Sequence, residues 1–376
     1  MSIETRSEVP VTPAFTSSLR VRSLVRVLLH VVWTRAVLWG VVDYAVHTRH
    51  PRFHPSALRE FGESTLSGVL RWDAWWYVSV VQDGYVFDAH HASNVAFLPG
   101  FPALIALATP LFGSAALAGF WLSNAALVAA VVVLWSWVDA RAGLAAAERA
   151  SVLLLLYPFS FFLDAGYSES VYFLWCALAL RAADREEPAR VALFASLATL
   201  TRPMGILLAV ASAWGLFRSR RARFVDLLPL CAPPVALGAF AVYLWVTQGS
   251  PFALVTAQRI GWGVGAAMGV PGWHDELFRQ FVDAFRAFLP VPLLYAAWKA
   301  SRRLGPVAGA YAIMTTLMAI SLGQDSVGRE VLAVVPLFAL LGLWRPGSKT
   351  ELTLRAASFA LLSVFTYAFA LGHFVG

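Results

Sequence analysis

Four stretches of an otherwise apolar chain carry groups that could move a proton or hold an anion. The first contains Asp73, Asp83, Asp88, His90 and His91. The second contains Asp164, Tyr167, Ser168 and Glu169; the third contributes Arg202; the fourth contributes Gln324, Asp325, Ser326, Arg329 and Glu330. A carboxylate that opens a helix is favoured in its ionised form by the positive end of the helix dipole. Asp73 is such a residue, so it could serve as a general base near neutral pH or simply as the helix's electrostatic cap. Tyr77 lies one turn further along the same face. Ser168 and Glu169 could cap the helix that follows them, and Arg202, before Pro203, could snorkel towards lipid headgroups, as could Arg329. His90 and His91 are adjacent and therefore point apart, and no HxxxH or His/carboxylate spacing follows, so a metal site is not expected.

The elements that must position these groups are membrane helices. Of 376 residues 59% are apolar and 14% charged, and the mean hydropathy is +0.66. A soluble chain of this size could not hide that much apolar surface, which excludes an ordinary globular enzyme. The apolar runs are continuous and not alternating, which argues against a β-barrel. The expected fold class is an all-α polytopic membrane protein with about eleven transmembrane helices, each of about 20 residues. Net charge is +7, with Lys299 and Lys349 the only lysines. The basic residues sit in short loops between spans, so the partner they imply is membrane lipid and not nucleic acid. Cys176 and Cys231 lie in apolar stretches and carry no redox or metal signal.

Sidedness follows from the basic clusters. Arg141 with Arg149, Arg181 to Arg190, Arg218 to Arg223, Lys299 to Arg303 and Arg345 to Arg355 mark cytoplasmic loops by the positive-inside rule. The expected organisation is a cytoplasmic tail at 1–26 followed by one membrane domain at 27–376. Its first extracytoplasmic loop is 48–97 and its second is 249–286. All four chemistry-bearing stretches then share the extracytoplasmic face, although more than 250 residues separate the first from the last. The segment 97–112, broken by Pro99, Pro102 and Pro110, reads as re-entrant or interfacial, whereas 115–138 is a full span. Spans near 169–182, 190–201 and 203–217 are short. Two segments have surface-helix patterns: 54–83, with Trp72, Trp75, Trp76 and Val80 on one stripe, and 273–288, with seven apolar residues from Trp273 to Phe288 on another. In the first span, at about 27–47, His30 and Arg35 are expected to be buried, with Asp43 a partner, while Asp164 is expected to end its span in solvent.

The order of motifs resembles a known family. Arg71-Trp72-Asp73-Ala74-Trp75-Trp76-Tyr77 with Asp83-Gly84-Tyr85 is similar to the first-loop signature of PIG-V-type mannosyltransferases. Phe97-Leu98-Pro99-Gly100-Phe101-Pro102 resembles their aromatic-proline motif. Tyr157-Pro158 with Tyr167-Ser168-Glu169-Ser170 resembles their Tyr-Ser-Glu motif, and Thr201-Arg202-Pro203-Met204-Gly205 their Thr-Arg-x-x-Gly turn. The chain departs from the family late: members often carry an aromatic after the last motif's arginine, and here Gly328-Arg329 is followed by Glu330. The chain is also short beside eukaryotic members, which points to a bacterial relative.

The resemblance implies a GT-C glycosyltransferase of the plasma membrane, with a cytoplasmic N-terminus and an extracytoplasmic active site. Its donor would be polyprenyl-phosphate mannose and its acceptor a lipid-linked or other extracytoplasmic glycan. Attack on the anomeric carbon passes through an oxocarbenium-like state and needs a base for the acceptor hydroxyl. Asp73 is the candidate base. Arg202 and then Arg329 are candidates for the leaving phosphate, because guanidinium forks match phosphate oxygens. Tyr77, Tyr167, Ser168 and Glu169 would bind the sugar or orient Arg202. One base and no nucleophile implies inversion, and the scheme requires no divalent ion or other cofactor. Competing readings are a GT-C transferase of another lipid-linked sugar such as arabinose or glucose, a secondary transporter, and a structural membrane subunit.

Overall fold

A computed structural model describes residues 13–48, 61–62, 64–218, 223–261, 287–321 and 326–373, with isolated positions at 280, 284 and 375. Among them there are helices and turns and no strands. In chain order the helices are α1 (Pro13–Thr48), α2 (Thr65–Val69), α3 (Asp73–Asp83), α4 (Gly100–Phe112), α5 (Ala115–Ala142), α6 (Leu144–Leu155), α7 (Glu169–Asp184), α8 (Pro188–Thr201) and α9 (Ile206–Arg218). There follow α10 (Phe224–Leu227), α11 (Ala232–Gln248), α12 (Ala253–Gly261), α13 (Pro290–Arg303), α14 (Pro306–Ser321), α15 (Val327–Glu330), α16 (Val335–Leu343) and α17 (Ser348–Ala370).

Four stretches are long and apolar enough to cross a membrane: Ser17–Thr48, Ala115–Ala142, Val225–Gln248 and Ser348–Ala370. Gly100–Phe112, Pro188–Thr201, Pro203–Arg218 and Pro306–Ser321 are shorter apolar helices. α4 has 13 residues, about 20 Å at 1.5 Å per residue, against a hydrocarbon core of about 30 Å. Gly113 stops it in the left-handed region at φ 77°, and the Ser114 hydroxyl caps α5 by accepting from the Leu117 N–H. The two helices then pack together as a hairpin.

The core is built around α5, α6, α7 and α16. Trp137, Phe162, Phe173 and Phe338 are fully buried there. α1 begins fourteen residues before the expected first span, and its partners orient the bundle. Arg20 reaches Asp139 at 3.0 Å and Arg26 reaches Glu148 at 2.5 Å. Arg141, at the far end of α5, bonds Asp184 at the last residue of α7 and donates to the Leu304 carbonyl. The start of α1 and the basic ends of α5, α7 and α13 therefore share one end of the bundle. Glu169 opens α7 fifteen residues before Asp184, about 22 Å away along the helix. Basic loops and candidate chemistry thus occupy opposite ends.

Two expectations need correction. Arg35 pairs with Asp164 at 2.7 Å, not with Asp43. Its guanidinium also donates to the Leu155 and Ser160 carbonyls and to Ser160 Oγ, tying α1 to the turn before α7. Asp164 is buried, not solvated, because it answers that charge. Asp43 instead accepts from the Thr65 hydroxyl. The reason is that a full turn of helix presents more than one partner, and only tertiary packing selects among them.

The surface helix expected at 54–83 is, within the described residues, two short helices, and α3 is packed on most sides. Ala74, Tyr77, Val78, Ser79 and Val80 are buried, Trp76 stacks on Phe97, and Tyr77 meets Phe97 and Phe101 edge-on. The amphipathic segment at 273–288 lies almost wholly outside the described residues, as do Gln324 and Asp325.

Candidate active site

Three local rules deliver three charged groups to the same end of the bundle. α3 starts at Asp73 after Trp72, whose backbone sits at φ 53°, ψ −111°. A non-glycine residue there stores on the order of 1–3 kcal/mol, and the turn it makes aims Asp73 inwards. α7 starts at Glu169, where an acid suits the dipole. α8 ends because Pro203 forbids a helical conformation in the residue before it. Arg202 is extended at φ −148°, ψ 141°, and the chain doubles back through a 3₁₀ turn, Pro203–Gly205, into α9. The return is so tight that a Cβ on Gly205 would collide with the backbone of Ala198 and Thr199. α15 supplies the fourth and fifth groups, Arg329 and Glu330. Gly328 lies flat against the Phe159 ring, and its carbonyl accepts from Tyr157 OH at 2.7 Å.

The five groups form one chain of alternating charge. Asp73 Oδ2 meets Arg329 Nη1 at 2.6 Å. Arg329 Nε donates to Glu169 Oε1, and the same oxygen accepts from Arg202 Nη1 at 2.6 Å. Arg202 Nη2 donates to Glu330 Oε1. Side-chain exposure is 13% for Asp73, 9% for Arg329, 1% for Glu169, 15% for Arg202 and 8% for Glu330. Asp73 and Arg202 are thus the most open members. Three carboxylates face two guanidiniums. The second oxygens of Glu169 and Glu330 are buried with no hydrogen-bond partner, an arrangement that costs free energy unless something else is bound there.

Aromatic side chains hold this chain in place. The Arg329 guanidinium lies 4.7 Å from the Tyr167 ring centre and 5.2 Å from that of Phe162. Arg202 lies 5.9 Å from Tyr172. Such contacts fix a guanidinium without neutralising it. Tyr167 OH donates to the Arg71 carbonyl at 2.9 Å and accepts from the Asp73 N–H at 3.3 Å, so it clamps the entry to α3. Tyr77 OH donates to Ser168 Oγ at 2.7 Å, joining α3 to the start of α7.

The residues proposed as base, phosphate ligands and sugar-orienting groups, Asp73, Tyr77, Tyr167, Ser168, Glu169, Arg202 and Arg329, meet in this cluster, whereas Asp164 pairs with Arg35 outside it. Glu330 is the member that sequence reasoning left without a role, and its signal was the departure from the aromatic residue of the family motif. Asp88, His90 and His91 lie apart in an exposed loop. The His90 N–H and then the His91 side chain hold the Asp88 carboxyl below its usual range, as in a self-contained Asx turn. Among the described residues no three His, Cys, Asp or Glu side chains are grouped as metal ligands.

Comparison with known proteins adds the family. The sequence model described as mannosyltransferase (PIG-V) matches residues 16–255. The chain is 30% identical over 136 residues to GPI alpha-1,6-mannosyltransferase 2 of Rattus norvegicus, covering 32% of this chain and 26% of the relative. The Homo sapiens protein of that name is 28% identical over 221 residues, covering 54% of this chain and 43% of the relative. The chain thus spans less than half the length of these relatives. The fold is similar to that of ArnT from Cupriavidus metallidurans, solved bound to undecaprenyl phosphate. The TM-score is 0.55 at 16% identity, over 91% of this chain and 68% of that one. That likeness shows a shared GT-C membrane fold, and with the apolar helices above it makes this a multi-pass membrane protein. With the family match extending across the turn that carries Arg202 and the helices that carry Asp73 and Glu169, the chain belongs to the PIG-V mannosyltransferase family.

Proposed function

We propose that the protein transfers mannose from polyprenyl-phosphate mannose to a lipid-linked or other extracytoplasmic acceptor, with inversion at the anomeric carbon. The observation that carries this reading is the alternating chain from Asp73 to Glu330, in which a carboxylate at the open end sits against an arginine able to take a phosphate. The lipid on the ArnT structure is chemically the leaving group of such a donor. A cavity of about 560 Å³ lined by Val80, Tyr85, Pro102, Leu200, Phe240 and Tyr243 is apolar enough for an isoprenoid chain. Leu200 lies two residues before Arg202, so a lipid held there would have its phosphate near the guanidiniums.

The mechanism uses the pairs as they stand. Asp73 and Arg329 hold each other at rest. A donor phosphate draws Arg329 and Arg202 onto its oxygens, which frees Asp73 beside the acceptor hydroxyl. The acceptor oxygen bonds to the anomeric carbon as the carbon–oxygen bond to phosphate breaks. The bonding electrons leave with the polyprenyl phosphate, and the hydroxyl proton passes to Asp73. The guanidiniums stabilise charge as it develops on the leaving oxygen. Glu169, Ser168, Tyr77 and Tyr167 orient Arg202, Arg329 and the sugar. No divalent ion is used in this scheme.

The reading includes a cell-membrane location, a tail at 1–26, a membrane domain at 27–376 crossing about eleven times from a cytoplasmic N-terminus, and a site on the extracytoplasmic side. It is tested with purified protein in nanodiscs offered polyprenyl phosphates bearing mannose, glucose or arabinose, together with a glycolipid acceptor extract. Mannose is expected to be transferred at least tenfold faster than the others. Preferential transfer of glucose or arabinose would reassign the donor, and uptake into proteoliposomes without transfer would replace the enzyme by a transporter.

A further inference from the structure

Arg202 is the more exposed of the two arginines, and its outer nitrogen is already taken. Glu330 accepts from Nη2, while Glu169 holds Nη1. The two acids differ in what else they do. Glu169 Oε1 is shared between Arg202 and Arg329, so removing it would leave both guanidiniums with less support. Glu330 has Arg202 as its partner in the cluster and joins no second cation there; its other oxygen is buried without a hydrogen bond. It is the last link of the chain, and it makes the formal sum of three carboxylates and two guanidiniums negative. Its position is fixed by its neighbour. Glu330 follows Arg329 on the four-residue helix α15, whose start is wedged by Gly328 on Phe159. An anion arriving at Arg202 meets this carboxylate in the place that a phosphate oxygen would take.

We propose that Glu330 is a resident competitor for the donor phosphate: it occupies Arg202 until the phosphodiester displaces it, and returns to help expel the polyprenyl phosphate after transfer. This rests on the reading of Arg202 as a phosphate ligand. A phosphodiester carries one negative charge and the phosphomonoester product carries up to two, so without such a competitor the product would bind more tightly than the substrate. A carboxylate that regains Arg202 weakens the hold on substrate and product alike, and so keeps the more highly charged product from being retained. Glu330 acts through Arg202 and is therefore a positioning residue.

The experiment compares wild type with Glu330→Gln, which keeps the shape and removes the charge. Donor KM in the transfer assay and the Kd of undecaprenyl phosphate, measured by quenching of intrinsic tryptophan fluorescence in nanodiscs, are both read. Loss of a like charge beside the phosphate is expected to lower each by about threefold to tenfold, with no rise in kcat. A damaged site would instead raise both. An unchanged or raised undecaprenyl phosphate Kd in Glu330→Gln overturns the proposal. If that variant fails to give a monodisperse folded protein, Glu330→Asp is used. Its shorter side chain loosens the grip on Arg202, and the Kd is expected to fall at least twofold; a constant or higher value again overturns the proposal. The reading of Arg202 is judged separately, by whether Arg202→Ala weakens undecaprenyl phosphate binding in an otherwise wild-type protein. If it does not, the reading of the site fails first.

Discussion

Arg329 and Arg202 are alike in charge but held differently, and this predicts different defects. Arg329 rests on two aromatic rings and on Asp73 and Glu169. Arg329→Ala leaves Asp73 and Glu169 buried with less compensation, so it is expected to lower stability by about 3–5 kcal/mol as well as to lower activity. Arg202 is more open, and Arg202→Ala is expected to raise donor KM and lower kcat with a smaller loss of melting temperature. Thermal unfolding beside initial-rate kinetics separates the two. Tyr167→Phe strips one acceptor from the Asp73 N–H and one donor from the Arg71 carbonyl. A cost of about 1–3 kcal/mol is expected, visible as a lower unfolding temperature. The residue types of this site could be read from the sequence because each is a charge or hydroxyl set against an apolar background. Their pairing could not. Arg202 and Glu330 are separated by 128 positions, and Arg35 and Asp164 by 129. Local spacing offered Arg35 an acid within its own helix, and the fold chose another.

At the scale of elements, the turn after α8 and the tie from α1 do the positioning. Gly205→Ala forces a methyl group into the backbone of Ala198 and Thr199. Overpacking of this kind is expected to cost about 1–3 kcal/mol and to displace Arg202. Donor KM should therefore rise together with the fall in melting temperature, unlike a substitution on the exposed face of α9. Arg35 carries four acceptors from the segment that leads into Tyr167 and Glu169. Arg35→Ala is expected to destabilise the protein by about 3–5 kcal/mol, measured as unfolding in detergent. Helix boundaries were legible where an acid or a proline marks an end, as at Glu169 and at the turn before Pro203. The extent of α3 burial was not, because its tryptophan stripe fits a headgroup layer and a protein neighbour equally well. Trp76 stacks on Phe97, while Tyr77, off the stripe, packs on Phe97 and Phe101.

For the whole molecule, opposite ends of the same helices carry the basic residues and the alternating cluster. α7 alone runs from Glu169 to Asp184. If the cluster end faces outwards, a cysteine placed at Asp88 in a Cys231→Ser background is expected to react with a membrane-impermeant maleimide in intact cells. A cysteine at Arg303 should react only after permeabilisation. Cys231 must be replaced because it is exposed, whereas Cys176 is buried. The composition already required a membrane, and the spread of arginines along the chain already suggested that remote acids and arginines meet at one end; how they alternate depended on three-dimensional packing.

The central claim is that Asp73 takes the acceptor proton. It is tested most directly by Asp73→Asn in purified, folded enzyme with saturating polyprenyl-phosphate mannose. The amide keeps the size of the side chain and removes the base. Turnover is expected to fall by about 10²- to 10⁴-fold while undecaprenyl phosphate still binds. An Asp73→Asn enzyme that keeps more than about a tenth of wild-type turnover would contradict the account.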